Sequence, residues 1–246
     1  MKTTPTENWK PLDFQCPYAC TYCPEEGYSE TPRLRERWED IPSRFAIWVC
    51  PDTDLFCDEV PSGLIESILE KASDYPHYPH KAFIFCTRNV ERYSEFLDKF
   101  PQWTYFATTV ESDIDHGCSR APPPMVRLEE LKKLKFALSD LPGIYETCIS
   151  IKPIMNFTDK FADIIRHVMP DQVSIGREVM CIENFPTPRF SEVLTLAKKL
   201  SRFTSVNVSG EDIKDLEDWP QDDPPERFKV KRRRYLHAAI QVERQK

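Results

Sequence analysis

The sequence predicts an α/β fold: a parallel sheet curled into a full or partial barrel, followed by a short C-terminal extension. Three observations lead there. Short β-branched and aromatic runs recur along the 246 residues, segments of helical period lie between them, and the alternation lasts for six or seven units. Sustained strand–helix alternation demands parallel strands, and right-handed crossovers between them curl the sheet.

The elements follow in order. A weak first strand is expected in PLDFQ, residues 11–15. Stronger strands are expected in FAIWVC (45–50), AFIFC (82–86), TYFATTV (104–110), YETCISI (145–151), QVSI (172–175) and TSVNV (204–208). Between them, Leu64, Ile65, Ile68, Leu69 and Ala72 share one helical face, as do Val90, Tyr93, Leu97 and Phe100. Phe157, Phe161, Ile164, Ile165 and Val168 form a third stripe; Phe190, Val193, Leu194, Ala197 and Leu200 form a fourth. Ser62 reads as an N-cap, and Thr187-Pro188 as a cap followed by proline at the first helical position. Residues 1–210 are then one barrel domain. Residues 211–246 are an extension in which 211–226 (EDIKDLEDWPQDDPPE) is acidic and 229–234 (KVKRRR) is basic. In such a barrel the chemistry belongs on the loops that follow the strands.

Composition narrows the function. A net charge of −7 argues against a general nucleic-acid binder, and the basic tail reads first as a partner for the acidic run upstream. No run of about 18 apolar residues exists to span a membrane. MKTTPTENWK lacks the apolar stretch of a secretory signal, so the cytoplasm is the expected compartment. Nine cysteines, odd in number and scattered, do not form a secreted disulfide framework. Three of them, Cys16, Cys20 and Cys23, fall within eight residues at the spacing C-x3-C-x2-C. Two readings are open at this point. The triad is a zinc site completed by a distant ligand, in an interaction module that binds nucleic acid through its basic tail, or it holds three corners of an iron–sulfur cluster. The five histidines show no metal-binding spacing, and six glycines give no nucleotide fingerprint.

The run Cys16-Pro17-Tyr18-Ala19-Cys20-Thr21-Tyr22-Cys23, with an aromatic residue just before its last cysteine, resembles the signature of the radical S-adenosylmethionine (radical SAM) superfamily. Over most of its length the chain also resembles a phage- and archaea-associated radical SAM family of unassigned function. The matching stretches are VCPDTDLF (49–56), FCTRNVERY (85–93), TTVESD (108–113), ISIKPIMNF (149–157) and VSIG (173–176). The resemblance implies a partial (β/α)6-type parallel barrel and a [4Fe-4S] cluster on Cys16, Cys20 and Cys23, with SAM on the open iron and Tyr22 beside it. It implies an electron donor such as a flavodoxin or ferredoxin. Reductive cleavage of SAM would give a 5′-deoxyadenosyl radical that abstracts hydrogen from an unidentified substrate, a nucleotide, nucleic acid or peptide.

Site residues follow from the same resemblance. Thr53 and Asp54 would meet SAM's amino group, while Thr109, Glu111 and Ser112 would meet its ribose. Thr87-Arg88, Ser150 and Lys152 would face SAM's carboxylate or the substrate. Cys118 and Cys181, in loops on the catalytic side, are candidate hydrogen donors. The sequence departs from the family pattern twice: Pro51-Asp52-Thr53-Asp54 lacks the usual glycines, and Lys152 stands where relatives commonly carry glutamate.

Overall fold

The computed structural model describes residues 6–23, 28–74, 81–176 and 186–208. In chain order the elements are β1 (Thr6–Trp9), β2 (Leu12–Asp13), β3 (Arg33–Leu34), β4 (Ala46–Val49), α1 (Ser62–Ser73) and β5 (Ala82–Cys86). A 3-10 segment, Val90–Phe96, leads to β6 (Trp103–Thr109), α2 (Pro124–Leu138), β7 (Ile144–Ile151), α3 (Phe161–Val168), β8 (Gln172–Ile175), α4 (Phe190–Leu200) and β9 (Ser205–Val208). Seven strands form one sheet in the order β1-β4-β5-β6-β7-β8-β9, every neighbouring pair parallel. The sheet curls into an α/β half-barrel, the expected architecture.

Strand alternation sorts the side chains onto two faces. Val49, Phe85, Phe106, Ile151 and Ile175 join the main core beneath the helices. On the concave face Ala82, Trp103 and Tyr105 pack with Phe45, Ile84 and Cys148. Nearer the C-terminal strand ends of that face, Thr109, Ser150, Ser174 and Asn207 stand in register across four adjacent strands. The concave face is therefore apolar at its base and polar at its mouth.

Three local expectations are corrected. The first barrel strand is Thr6–Trp9, beginning five residues earlier than PLDFQ suggests; Leu12–Asp13 instead pairs antiparallel with Arg33–Leu34 outside the barrel. Helix α2 has no counterpart in the apolar pattern. Leu128, Leu131, Leu134 and Leu138 are buried on it, but Met125, Val126 and Phe136 face solvent and blur the stripe. The cap residues shift too. Helix α1 begins at Ser62 behind Pro61 without a side-chain cap bond, and α4 begins at Phe190, one residue beyond Arg189. Glu192 closes that turn by accepting the Arg189 N–H at 2.7 Å. The acidic and basic stretches of 211–246 lie outside the described residues.

Candidate active site

The ribbon of β2 and β3 clips the base of the loop that holds the cysteines. Arg33 donates twice to Asp13 Oδ2, at 2.9 and 2.8 Å, and the Gln15 N–H reaches the Ser29 carbonyl at 2.8 Å. The loop between is laid over the C-terminal ends of the central strands. Its Thr21 N–H donates to the Cys118 carbonyl (2.9 Å), and the Tyr18 carbonyl accepts from the Arg120 N–H (2.8 Å), both partners lying after β6. Tyr22 reaches Glu111 after β6 and Arg88 after β5, and Tyr28 reaches Asp52 after β4. The cysteines thus stand at the barrel mouth.

All eight described cysteines are free thiols. Cys20 is buried, with Sγ 3.2 Å from Ser119 Oγ; Cys16 is half-buried and Cys23 exposed. Burial, reinforced by the charge of Asp54, pushes the Cys16 thiol up to about 12. The donor set suits an iron–sulfur cluster: three soft sulfurs on one loop, with one iron left for another ligand. The sulfurs do not surround a common point, since among the described residues no three His, Cys, Asp or Glu side chains gather as a metal site.

Asp54 is buried and accepts three hydrogen bonds: from the Phe56 N–H (3.0 Å) and Thr87 hydroxyl (2.6 Å) at Oδ1, and from the Arg88 N–H (2.8 Å) at Oδ2. A carboxylate has about four acceptor positions, so roughly one is left for an ammonium. Burial lifts its carboxyl above the ordinary aspartate range, more than these bonds pull it down. The Thr53 hydroxyl beside it is buried without a partner among the described residues.

Glu111 is the hub of the mouth. Its Oε1 accepts from the Tyr22 hydroxyl and from Arg88 Nη2 (3.3 Å), and its Oε2 from Arg127 Nη2 (3.0 Å). Arg88 Nη2 also donates to the Tyr22 oxygen at 2.6 Å, with its guanidinium 5.7 Å from that ring's centroid. Burial would raise the Glu111 carboxyl, but the charges of Arg127 and Arg88 and the Tyr22 hydroxyl outweigh it and hold the group low.

The other expected residues divide. Thr109 is buried, 3.7 Å from Cys86 Sγ, and Ser150 and Lys152 are half-buried at the end of β7. Ser112 is committed to the loop, donating to the Asn156 carbonyl (2.6 Å) and accepting the Ile114 N–H (3.0 Å). Cys118 turns its thiol toward Met155 Sδ, 3.9 Å away. Cys181 lies outside the described residues.

Two mouth residues escape the sequence reading. Arg127 sits in the helix whose stripe is blurred. Asp52, buried between Lys10 and Arg35 at 3.1 Å each, ties the flanks of the cysteine loop to the end of β4; its second oxygen has no partner among the described residues. An acid two residues from Asp54 in one turn was the available signal.

No family model matches the chain, and no curated protein is similar to it. Solved structures are. A cysteine-to-serine variant of spore photoproduct lyase superposes with a TM-score of 0.55 at 13% identity, covering 82% of this chain and 75% of that one. Spore photoproduct lyase complexed with dinucleoside spore photoproduct gives 0.51 at 14% identity, covering 80% and 74%. At such identities the likeness establishes the partial-barrel fold and leaves the chemistry to the residues.

Proposed function

We propose that this chain is a radical SAM enzyme related to the phage- and archaea-associated family it resembles. The observation that carries the reading is the Cys16–Cys23 loop, laid over the C-terminal ends of β5 and β6 and bonded there by Tyr18, Thr21 and Tyr22, with Tyr28 beyond it bonded to Asp52 after β4. The shared fold with spore photoproduct lyase, a radical SAM enzyme, supports it.

In this reading Cys16, Cys20 and Cys23 hold a [4Fe-4S] cluster. When bound, the cluster supplies the electron that cleaves SAM into methionine and a hydrogen-abstracting 5′-deoxyadenosyl radical. The chain's own groups bind and orient. Asp54 offers its remaining acceptor position to SAM's ammonium, with the Thr53 hydroxyl beside it. Thr109 and Glu111 form the ribose side, Ser112 bracing the loop behind them, and Arg88, Ser150 and Lys152 form the side that receives a carboxylate or the substrate. Tyr22, held by Glu111, would stand beside the cluster. Cys118 and Cys181 are the thiols available to return a hydrogen atom. A flavodoxin or ferredoxin in the cytoplasm would deliver the electron. The substrate is a nucleotide, nucleic acid or peptide; because a structurally similar lyase is complexed with a dinucleoside, nucleosides are the first to test.

The test is anaerobic incubation with SAM and dithionite, with 5′-deoxyadenosine measured by chromatography. Wild type is expected to form it, and alanine variants of Cys16, Cys20 or Cys23 to form none. Turnover in any of the three variants would overturn the assignment.

A further inference from the structure

Arg127 reaches the mouth from α2, which packs on the helix side of the sheet. Its side chain is 3% exposed; Nη1 donates to the Thr109 carbonyl and Nη2 to Glu111 Oε2 at 3.0 Å. Glu111 is therefore shared by oxygen, with Oε2 given to Arg127 and Oε1 to Tyr22 and Arg88. Without Arg127 the carboxylate, equally buried, would keep one cation and have an unpaired oxygen. Rotating toward Arg88 would then satisfy it at the expense of Tyr22. Tyr22 immediately precedes Cys23, the exposed cysteine of the triad.

We infer that Arg127 is a positioning residue for the cysteine loop: by occupying Glu111 Oε2 it turns Oε1 toward the Tyr22 hydroxyl and so fixes the chain beside Cys23. A planar fork is needed because one group must bond a carbonyl and a carboxylate in fixed directions, which an ammonium at the end of a flexible stem does poorly. The consequence for a cluster rests on the proposed function; the hold on Tyr22 does not.

The experiment therefore has two arms. In metal-free protein carrying 13C-labelled tyrosine, the Tyr22 ring resonance is identified by its loss in Tyr22→Phe. It is expected to move in Arg127→Gln, to move less in Arg127→Lys, and to stay unchanged in Lys132→Gln, at an exposed position of the same helix. In anaerobically reconstituted protein, Arg127→Gln should release iron to a chelator about tenfold faster than wild type, the low end of what losing an outer-shell partner does to metal affinity. A Tyr22 resonance at the wild-type position in folded Arg127→Gln and Arg127→Lys overturns the inference, as does unaltered iron release from a variant that binds iron. If wild type takes up no iron, the proposed function falls, and the Tyr22 resonance still decides the role of Arg127.

Discussion

Glu111 is 2% exposed and keeps its charge because two guanidiniums and a phenol surround one carboxylate. A carboxyl held below its ordinary value of 4.5 adds stability above that value and loses it as pH falls through the lowered one. Asp54 has the opposite sign: its raised carboxyl opposes folding at neutral pH, and that penalty is relieved on acidification. Glu111→Gln should thus be less stable than wild type near neutrality, with the gap narrowing as pH drops below the ordinary glutamate value. Urea midpoints across pH measure this, and a gap independent of pH would contradict the electrostatic account. The thiols make a second prediction. In metal-free protein, iodoacetamide at neutral pH should label exposed Cys23 first, Cys16 more slowly because burial keeps it a thiol, and fully buried Cys57 last. Peptide mapping reads the order, and equal labelling of Cys16 and Cys23 would refute it.

At the scale of elements, the loops after β4 and β5 are locked together by Asp54 and by an aromatic cluster beneath it. Phe56, two residues on, packs 4.7 Å from the Tyr93 ring centroid and stacks on Phe100 at 5.8 Å. Phe56→Ala should lose about 3–5 kcal/mol of stability, the usual range for deleting a buried aromatic. Asp54→Ala should lose about 1–3 kcal/mol because three donors are left unpaired. Chemical denaturation checks both, and a loss from Phe56→Ala below that from Asp54→Ala would reverse the ranking. The strands from Ala46 to Val208 were legible because buried parallel strands are short β-branched or aromatic runs bounded by turns. The strand Thr6–Trp9 was not: three of its four residues are exposed and polar or charged, since it is the sheet's edge. Helix α2 hid for the reason that exposes Phe136. Of the mouth, Glu111 and Tyr22 were legible because they stand in stretches that resemble a known family's motifs. Arg127 was not, because its role comes from tertiary contacts that no local spacing encodes, and Asp52 had only its place two residues before Asp54 to mark it.

For the whole molecule, the half-barrel brings the loops after β4, β5 and β6 under one cysteine loop. That convergence makes a single reaction centre possible. No helix among the described residues is long and apolar enough to cross a membrane. The basic stretch 229–234 carries five cations, but the chain's net charge is −7. Deleting residues 229–246 is therefore expected to leave no salt-dependent nucleic-acid binding to lose; tight binding that weakens steeply with salt and vanishes on truncation would show otherwise. The central claim concerns the three cysteines, and metal analysis of protein purified without oxygen tests it most directly. The account predicts a brown protein with about four irons per chain and broad absorption near ~400 nm, both lost in Cys20→Ala. A colourless protein holding one zinc would contradict it.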